Sequence, residues 1–206
     1  MAGPALRRHD LFHLSPEAWA DVLARVWDTE ALACLTHWRD HDLPLVVARQ
    51  AGAVEAGVVA LGLPAPACWS RRRLALRLRT DQLGRAAALP GIEAVAGLLP
   101  PALLAGRRLR VAGSFGWQQI TGLAYVHGDS DIDLLVNVTD APAADAVARL
   151  LAGRDPAGPR LDGELIFPSG AAVAWREWAA LRGSAARQVL VKRLGGVALE
   201  DRSAMA

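Results

Sequence analysis

The sequence has 206 residues, which suffice for one domain of ordinary size or for two small ones. Apolar residues make up 52% and charged residues 21%, a composition typical of globular rather than disordered proteins. The 23 lysine and arginine residues nearly balance the 21 aspartate and glutamate residues, which excludes the strongly basic composition of many nucleic-acid-binding domains.

Cysteine content and the N-terminus bear on where the protein works. Cys34 and Cys68 lie far apart and outside any CxxC spacing, so neither a zinc site nor a disulfide framework is expected. The opening MAGPALRRHDLF lacks the apolar core of a signal peptide, and no apolar stretch reaches about 18 residues. We therefore expect a cytoplasmic protein with no membrane partner and no nucleic-acid partner.

The first part of the chain predicts a small α+β domain over residues 1–85. In SPEAWADVLARVW, Ser15 suits the N-cap and Pro16 the first helical position. Apolar residues follow at helical spacing, namely Trp19, Val22, Leu23, Val26 and Trp27. PLVVARQ, EAGVVALGLPAP and RRRLALRLRT predict strands, and the last alternates leucine with arginine. Residues 80–105 predict a helical connection broken by prolines.

Residues 86–206 predict a second domain, with a mixed sheet and helices packed on it. Its elements in chain order are the strand LRVAG, the helix FGWQQITGL, the strand DIDLLVNV, the helix APAADAVARLLAG, the strands RLDGELIF and GAAVAW, the helix EWAALRGSAARQ, and the strands VLVKRL and GVALE. Asp140 suits the N-cap of the second of these helices, and Gly153 suits its end. The fold class is therefore α+β.

Two carboxylates share one face of the predicted strand in DSDIDLLVNV, because side chains alternate along a strand. Asp131 and Asp133 lie on one side, and the apolar residues lie on the other. Burying two like charges together is costly unless a positive charge compensates them. Mg²⁺ commonly binds one or two carboxylates together with phosphate oxygens and water, so it would compensate them. The alternative is a solvated strand start without a ligand.

The Gly113-Ser114 pair is placed where a strand ends and a helix begins. A glycine at this position lets a phosphate approach the backbone, and a helix N-terminus offers free N–H groups and a positive dipole end. The serine hydroxyl adds one more donor. An ordinary turn with a helix cap is the alternative, but together with the aspartates the pair predicts a phosphate-and-metal site.

This arrangement of strand, Gly-Ser, helix and alternating aspartates resembles the nucleotidyltransferase superfamily, which includes DNA polymerase beta and the aminoglycoside nucleotidyltransferases. RHDL, GSFGWQQITGLAYVHGDSDIDLL and LDGELIFPSGAAVAWREW more closely resemble the malonate decarboxylase holo-[acyl-carrier-protein] synthases, also called phosphoribosyl-dephospho-CoA transferases. The resemblance extends from about residue 8 to about residue 200. It implies a polymerase-beta-like nucleotidyltransferase domain over residues 86–206, after the small N-terminal domain.

The resemblance implies an enzyme that transfers 2′-(5″-phosphoribosyl)-3′-dephospho-CoA to a serine of the apo acyl carrier protein subunit of malonate decarboxylase. The donor would be 2′-(5″-triphosphoribosyl)-3′-dephospho-CoA, a triphosphoribosyl-dephospho-CoA, and pyrophosphate would leave. By the same resemblance Asp131 and Asp133 would hold Mg²⁺, and Gly113 and Ser114 would hold the triphosphate. The alternatives are transfer to a small-molecule hydroxyl, or a non-catalytic relative that binds only a nucleotide or a partner.

Superfamily members carry a third carboxylate on a neighbouring strand, and LDGELIF offers Asp162 and Glu164 on one face. Either could complete the metal site and help to deprotonate the acceptor serine, with Glu164 slightly favoured because it lies deeper in the strand. Lys192, the only lysine, could reach a phosphate or could protect an edge strand from aggregation. Arg176 could bind a phosphate or pair with Glu177.

Two groups of arginines could attract an acidic acyl carrier protein. They are the strand face of Arg73, Arg77 and Arg79, and the cluster of Arg107, Arg108 and Arg110. Each group could equally be a solvated surface with no partner.

Overall fold

The computed structural model of the protein describes residues 6–50, 56–99, 109–153, 158–181 and 188–205. The chain forms two compact units, residues 1–89 and 90–206, whereas the sequence placed the boundary after residue 85. The mixed α+β class is confirmed, because each unit combines a sheet with helices. In the described ranges, every helix is too short or too polar to cross a membrane.

The first unit is built on a five-stranded antiparallel sheet with the order β4-β3-β2-β1-β5. Its strands are β1 (Leu11–Leu14), β2 (Leu45–Val47), β3 (Val58–Pro64), β4 (Arg73–Arg79) and β5 (Leu83–Ala87). Its helices are α1 (Pro16–Leu23) and α2 (Thr29–Asp40). Ser15 and Asp28 cap these helices, and their side chains accept hydrogen bonds from Ala18 N and Ala31 N.

The alternation predicted for β4 is confirmed, with buried leucines on one face and exposed arginines on the other. Other predictions for this unit are wrong. Helix α1 ends at Leu23, so Val26 is fully exposed instead of extending the apolar stripe. Residues 83–87 form β5 rather than a helix, because they pair with β1, a distant segment that local patterns do not reveal.

The remainder of the predicted helical connection has two parts. Ile92–Leu98 forms a 3₁₀ helix, and residues 100–105 lie outside the described residues. Strand β1 and helix α2 had no counterpart in the predictions. Helix α2 gave a weak apolar signal because two of its four buried residues, Ala31 and Cys34, are small.

The second unit is built on a six-stranded mixed sheet with the order β11-β10-β9-β8-β7-β6. Its strands are β6 (Leu109–Val111), β7 (Ile132–Asn137), β8 (Leu161–Ile166), β9 (Ala172–Ala174), β10 (Gln188–Arg193) and β11 (Gly196–Asp201). Strands β7 and β8 run parallel, and the other neighbours run antiparallel. A right-handed crossover is the usual way to join two such parallel strands.

Among the described residues of this unit, the α-helices are α3 (Gly113–Thr121), α4 (Ala141–Ala152) and α5 (Trp175–Ala180). The predicted cap of α4 is confirmed, since Asp140 accepts a hydrogen bond from Ala143 N and Gly153 follows the last turn. The predicted helix that contains α5 extended further, and its residues 182–187 lie outside the described residues. The chain order of strands and helices in this unit is as predicted.

The core of the second unit lies against the apolar face of β7. Ile132, Leu134 and Val136 are each at most 2% exposed and pack with Val147 of α4 and Trp178 of α5. Because side chains alternate along a strand, Asp133 of β7 and the preceding Asp131 face the other side of the sheet. The core therefore fixes the strand that carries the predicted metal ligands.

Candidate active site

The parallel register of β7 and β8 brings four carboxylates together. Asp133 lies opposite Asp162, and Leu135 lies opposite Glu164. Asp131 immediately precedes β7, two residues before Asp133 and therefore on the same side of the strand. The charges of the other three carboxylates all act on Asp133, which shows that the group is compact.

The turn at Gly113 lies directly against the Asp133 carboxylate. Gly113 has a φ of +58°, in the left-handed region that favours glycine. A Cβ atom there would lie 2.8 Å from Asp133 Cγ and closer still to Oδ2. Ala112 N also donates a hydrogen bond of 2.9 Å to Asp133 O. Glycine therefore permits the start of α3 to approach the carboxylate.

Ser114 follows in the first turn of α3 and is half-buried. Among the described residues, no hydrogen bond uses its hydroxyl group. The first N–H groups of a helix have no partner within the helix and favour anions. The predicted phosphate-binding residues and the predicted metal ligands therefore lie next to each other.

Asp133 is the carboxylate in the least favourable electrostatic position. Burial raises its pKa most, and the negative charges of Asp162, Asp131 and Glu164 raise the pKa further. A cation bound at this carboxylate would oppose each of these effects, because positive charge favours the ionised form. The site is therefore suited to a cation at Asp133.

Asp131 is bound by an arginine that the sequence analysis did not consider. Arg160 Nε lies 3.0 Å from Asp131 Oδ1, and Arg160 Nη2 lies 2.5 Å from Oδ2, a two-pronged ion pair. The hydrogen bonds with Arg160 lower the pKa of Asp131, and the nearby charge of Arg176 acts in the same direction. Arg160 immediately precedes β8, so only the register of β8 beside β7 reveals this contact.

The two candidates for the third carboxylate differ in their surroundings. Asp162 lies beside Asp133, and its Oδ1 accepts a hydrogen bond of 2.8 Å from Gly163 N. Glu164 is 8% exposed and forms an ion pair of 2.8 Å with Lys192 Nζ. The register therefore favours Asp162 as the partner of Asp133, whereas the depth of Glu164 in the strand had favoured Glu164.

Two residues that the sequence predicted to bind phosphate form hydrogen bonds with other groups of the protein. Lys192, on β10, reaches across β9 to Glu164. Arg176 Nη2 donates a hydrogen bond of 2.8 Å to Leu161 O, and its guanidinium group lies 4.6 Å from the centre of the Trp175 ring. The alternative pairing of Arg176 with Glu177 is absent from these contacts, since Glu177 accepts a hydrogen bond from Leu190 N.

A cavity of about 590 Å³ adjoins the arginines that contact these strands. It is lined by the end of α4, the residues before β8, and α5; among its lining residues are Arg160, Trp175 and Arg176. The Trp175 Nε1 atom is buried and has no hydrogen-bond partner among the described residues. Such a donor costs about 1–3 kcal/mol when it stays unsatisfied.

The donor set fits Mg²⁺, which needs only one or two carboxylates when phosphate oxygens and water complete its coordination. Asp131 and Asp133 offer hard carboxylate oxygens next to the turn at Gly113. Across the described ranges, no group of three or more histidine, cysteine, aspartate or glutamate residues has the arrangement of a metal site. This agrees with the contacts of the two cations: Arg160 binds Asp131 and lies 3.5 Å from Asp162, and Lys192 binds Glu164, so three of the four carboxylates are engaged.

Comparisons with known proteins place the chain in one family. Residues 7–89 match the model of the phosphoribosyl-dephospho-CoA transferase MdcG N-terminal domain, and residues 75–203 match that of the C-terminal domain. A protein of Xanthomonas campestris pv. campestris (strain 8004) named phosphoribosyl-dephospho-CoA transferase is 38% identical, over 96% of this chain and 95% of its own. A protein of the same name from Bradyrhizobium diazoefficiens is 37% identical, over 95% and 90%. No solved structure matches the chain.

Proposed function

The chain belongs to the phosphoribosyl-dephospho-CoA transferase family, and we propose that it is a transferase acting on a serine of the apo acyl carrier protein subunit of malonate decarboxylase. The group transferred is 2′-(5″-phosphoribosyl)-3′-dephospho-CoA, and its donor carries a 5″-triphosphate. The serine oxygen bonds to the α-phosphorus, the bond from that phosphorus to pyrophosphate breaks, and the serine proton leaves to a base. The reaction is proposed for the cytoplasm.

The observation that carries this proposal is the contact between Gly113 and the Asp133 carboxylate. A triphosphate bound at the start of α3 would lie beside Asp131 and Asp133. The order β6, α3, β7 with Gly-Ser after the first strand and the aspartates on the second supports a nucleotidyltransferase fold. Phosphoryl transfer depends mainly on positioning and charge neutralisation, which such a site can provide.

Each residue of the site has a distinct role in this proposal. Asp131 and Asp133 hold Mg²⁺, which when bound supplies positive charge to the phosphate oxygens. Gly113 and Ser114 bind the triphosphate through backbone N–H groups and the hydroxyl group. Asp162, beside Asp133, orients the acceptor serine and takes its proton.

Glu164 and Lys192 act in this proposal as a supporting pair behind the reacting groups. Their ion pair links β8 to β10 across β9, so it holds the sheet that carries Asp162. Arg160 holds Asp131 in place, and a donor phosphate would offer this arginine another anion when Asp131 binds the metal. Arg160 thereby couples donor binding to assembly of the metal site.

The arginine face of β4 is the proposed docking surface for the acyl carrier protein. Arg73, Arg77 and Arg79 are exposed on one side of a strand at the edge of its sheet. Acidic carrier proteins would be attracted to this face, and such attraction raises association rates. In the second arginine cluster, Arg107 and Arg108 lie outside the described residues.

Incubation with Mg²⁺, the triphosphoribosyl donor and the apo acyl carrier protein tests this function. Mass spectrometry should find one added group per carrier protein, on a single serine, with release of one pyrophosphate. A carrier protein whose acceptor serine is replaced by alanine is the control and should stay unmodified. Transfer to a small-molecule hydroxyl instead, or donor binding without transfer, would contradict the proposal.

A further inference from the structure

The cavity beside Arg160 has no role in the transfer step as proposed. Its volume of about 590 Å³ lies within the ~300–1,000 Å³ range of small-molecule pockets. Its apolar wall includes Leu151 and Ala179, whereas Arg160 and Arg176 add two positive charges. An apolar wall beside paired arginines suits a ligand that is partly flat and apolar and partly anionic.

Both arginines keep hydrogen-bond donors available for such a ligand. A guanidinium group carries five N–H donors. Arg176 uses Nη2 to bind Leu161 O, and its side chain as a whole is exposed. Arg160 uses Nε and Nη2 to bind Asp131, and 60% of its side chain is exposed. Arg176 can therefore bind a phosphate while it keeps its hydrogen bond to Leu161 O, and Arg160 can bind one through its remaining Nη1 donors and through those freed when Asp131 binds the metal.

Trp175 supplies the aromatic part of the same cavity. The guanidinium group of Arg176 lies over the Trp175 ring, so an aromatic ring and a cation lie side by side in the cavity lining. The Trp175 Nε1 donor has no partner among the described residues, although it is buried. Buried donors usually have an acceptor, so this one is a place where a bound molecule or a water would complete the structure.

We propose that this cavity binds the adenosine diphosphate portion of the dephospho-CoA group, an inference that rests on the proposed function. Arg160 and Arg176 bind the diphosphate, and the apolar wall contacts the adenine. Trp175 Nε1 donates to an acceptor of the bound nucleotide. The pantetheine part extends from the diphosphate out of the cavity.

The position of Arg160 connects this subsite to the reacting phosphate. Arg160 lines the cavity and binds Asp131, so the two anionic parts of the donor lie on either side of one arginine. The four nearby carboxylates would repel a diphosphate, and the two arginines offset that repulsion. A donor held at the diphosphate and at the triphosphate is fixed at two points, which restricts the reacting phosphorus to one orientation.

Calorimetric titration without metal and without carrier protein tests the subsite independently of transfer. The probes are 3′-dephospho-CoA, adenosine diphosphate and 4′-phosphopantetheine, which lacks the adenosine. We expect the first two probes to bind and the third to show no binding. Arg176→Gln, which removes a charge, and Ala180→Trp, which fills the cavity from an exposed helix position, should each weaken binding about tenfold or more.

Arg149→Gln is the matched control. Arg149 is an exposed arginine on α4, outside the cavity lining, and its Nε bonds to the carbonyl group of Asp145 in the same helix. It should keep the wild-type affinity for both nucleotide probes. Circular dichroism and thermal unfolding identify any variant that has lost its fold. If one of the two cavity variants is unfolded, the affinity of the other one provides the test.

The outcomes separate this inference from the proposed function. Unchanged affinity in both folded cavity variants, or equal binding of 4′-phosphopantetheine, would overturn the subsite even in a protein that performs the transfer. Loss of affinity in both variants with Arg149→Gln unaffected would support the subsite. A protein that binds these probes as expected but never modifies the carrier protein would contradict the transfer reaction alone.

Discussion

Backbone geometry brings Gly113 next to the Asp133 carboxylate. The left-handed φ of Gly113 turns the chain into α3, and the absent Cβ atom leaves room for the carboxylate. The left-handed φ also occurs without a close neighbour at the other end of this helix. Gly122, at the end of α3, has a φ of +71°, and a Cβ atom added there would have nothing within 4 Å.

Gly113→Ala should abolish transfer, because the added methyl group displaces the Asp133 carboxylate. Gly113→Ala and Gly122→Ala should each lower the free energy of unfolding by about 1–2 kcal/mol, the cost of a left-handed conformation for an alanine. Gly122→Ala should nevertheless retain activity, since its methyl group meets open space. Urea unfolding and the transfer assay measure the two effects, and an active Gly113→Ala protein would exclude this arrangement of the site.

Asp133→Asn should stabilise the metal-free protein at pH 7 while abolishing transfer. The pKa of Asp133 is raised in the folded protein, so between its ordinary and raised values the folded state binds more protons than the unfolded state. Stability therefore falls as pH rises through that window, and the loss persists at neutral pH. The asparagine variant escapes this loss, and its advantage should shrink on acidification through the same window.

Asp131→Asn is the control for this prediction. The pKa of Asp131 is lowered by Arg160, so its ionised form contributes stability above its ordinary pKa, and the contribution is lost as pH falls through the folded pKa. Its replacement should leave stability at pH 7 unchanged or lower, because the pair is partly exposed. Urea unfolding in the presence of a chelator compares both variants, and a less stable Asp133→Asn protein would refute the stated electrostatics.

At the scale of elements, the order of the strands in the sheet determines which distant residues come into contact. Lys192 and Glu164 are 28 positions apart and lie on strands separated by β9. The strand patterns predicted β8 and β10, but their order in the sheet depends on contacts between distant segments. Sequence spacing therefore could not indicate that the lone lysine binds a carboxylate rather than a phosphate.

Lys192→Met should lower the free energy of unfolding by about 2–3 kcal/mol, because it removes the cation from a buried carboxylate. This loss is smaller than the ~3–5 kcal/mol that follows from breaking a fully buried ion pair, because 33% of the Lys192 side chain is exposed. Combining it with Glu164→Gln should cost less than the sum of the single changes. Chemical denaturation of the four proteins gives the coupling energy, and strict additivity would mean that the ion pair contributes no stability.

The elements that could be predicted were those with strong local patterns. Strand β7 combines a buried apolar face with aspartates, and α4 has a capping aspartate, a regular apolar stripe and a terminal glycine. Strand β5 was mistaken for a helix because short apolar runs are ambiguous until their partner is known. The contact of Arg160 with Asp131 was missed for a related reason, since it depends on the register of two parallel strands.

At the scale of the whole molecule, the net charge of +2 conceals a local concentration of positive charge. The exposed face of β4 presents Arg73 and Arg77, whereas the neighbouring Arg79 forms an ion pair of 3.0 Å with Asp81. Composition alone excluded a strongly basic protein but said nothing of this face. The alternation of leucine and arginine in the sequence did indicate it.

Replacing Arg73 and Arg77 together by glutamate should raise the KM for the acyl carrier protein about tenfold at low salt, and less at high salt, because screening weakens the attraction. The affinity for 3′-dephospho-CoA should stay at the wild-type value. Arg39→Glu is the control, since Arg39 is an exposed arginine of the first unit that pairs with Asp40. Steady-state kinetics at two salt concentrations measure the KM, and calorimetry measures the affinity for 3′-dephospho-CoA. Equal changes in the two constants would reject the docking face.

We propose that Asp131 and Asp133, beside the turn at Gly113, support the transfer with a bound divalent cation. Intact-mass measurement of the apo acyl carrier protein, after incubation with the donor and Mg²⁺, tests it most directly. The wild-type protein should add one group, whereas folded Asp133→Asn protein, or wild-type protein with a chelator, should add none. Modification of the carrier protein by the folded variant at the wild-type rate would contradict this role of the carboxylates.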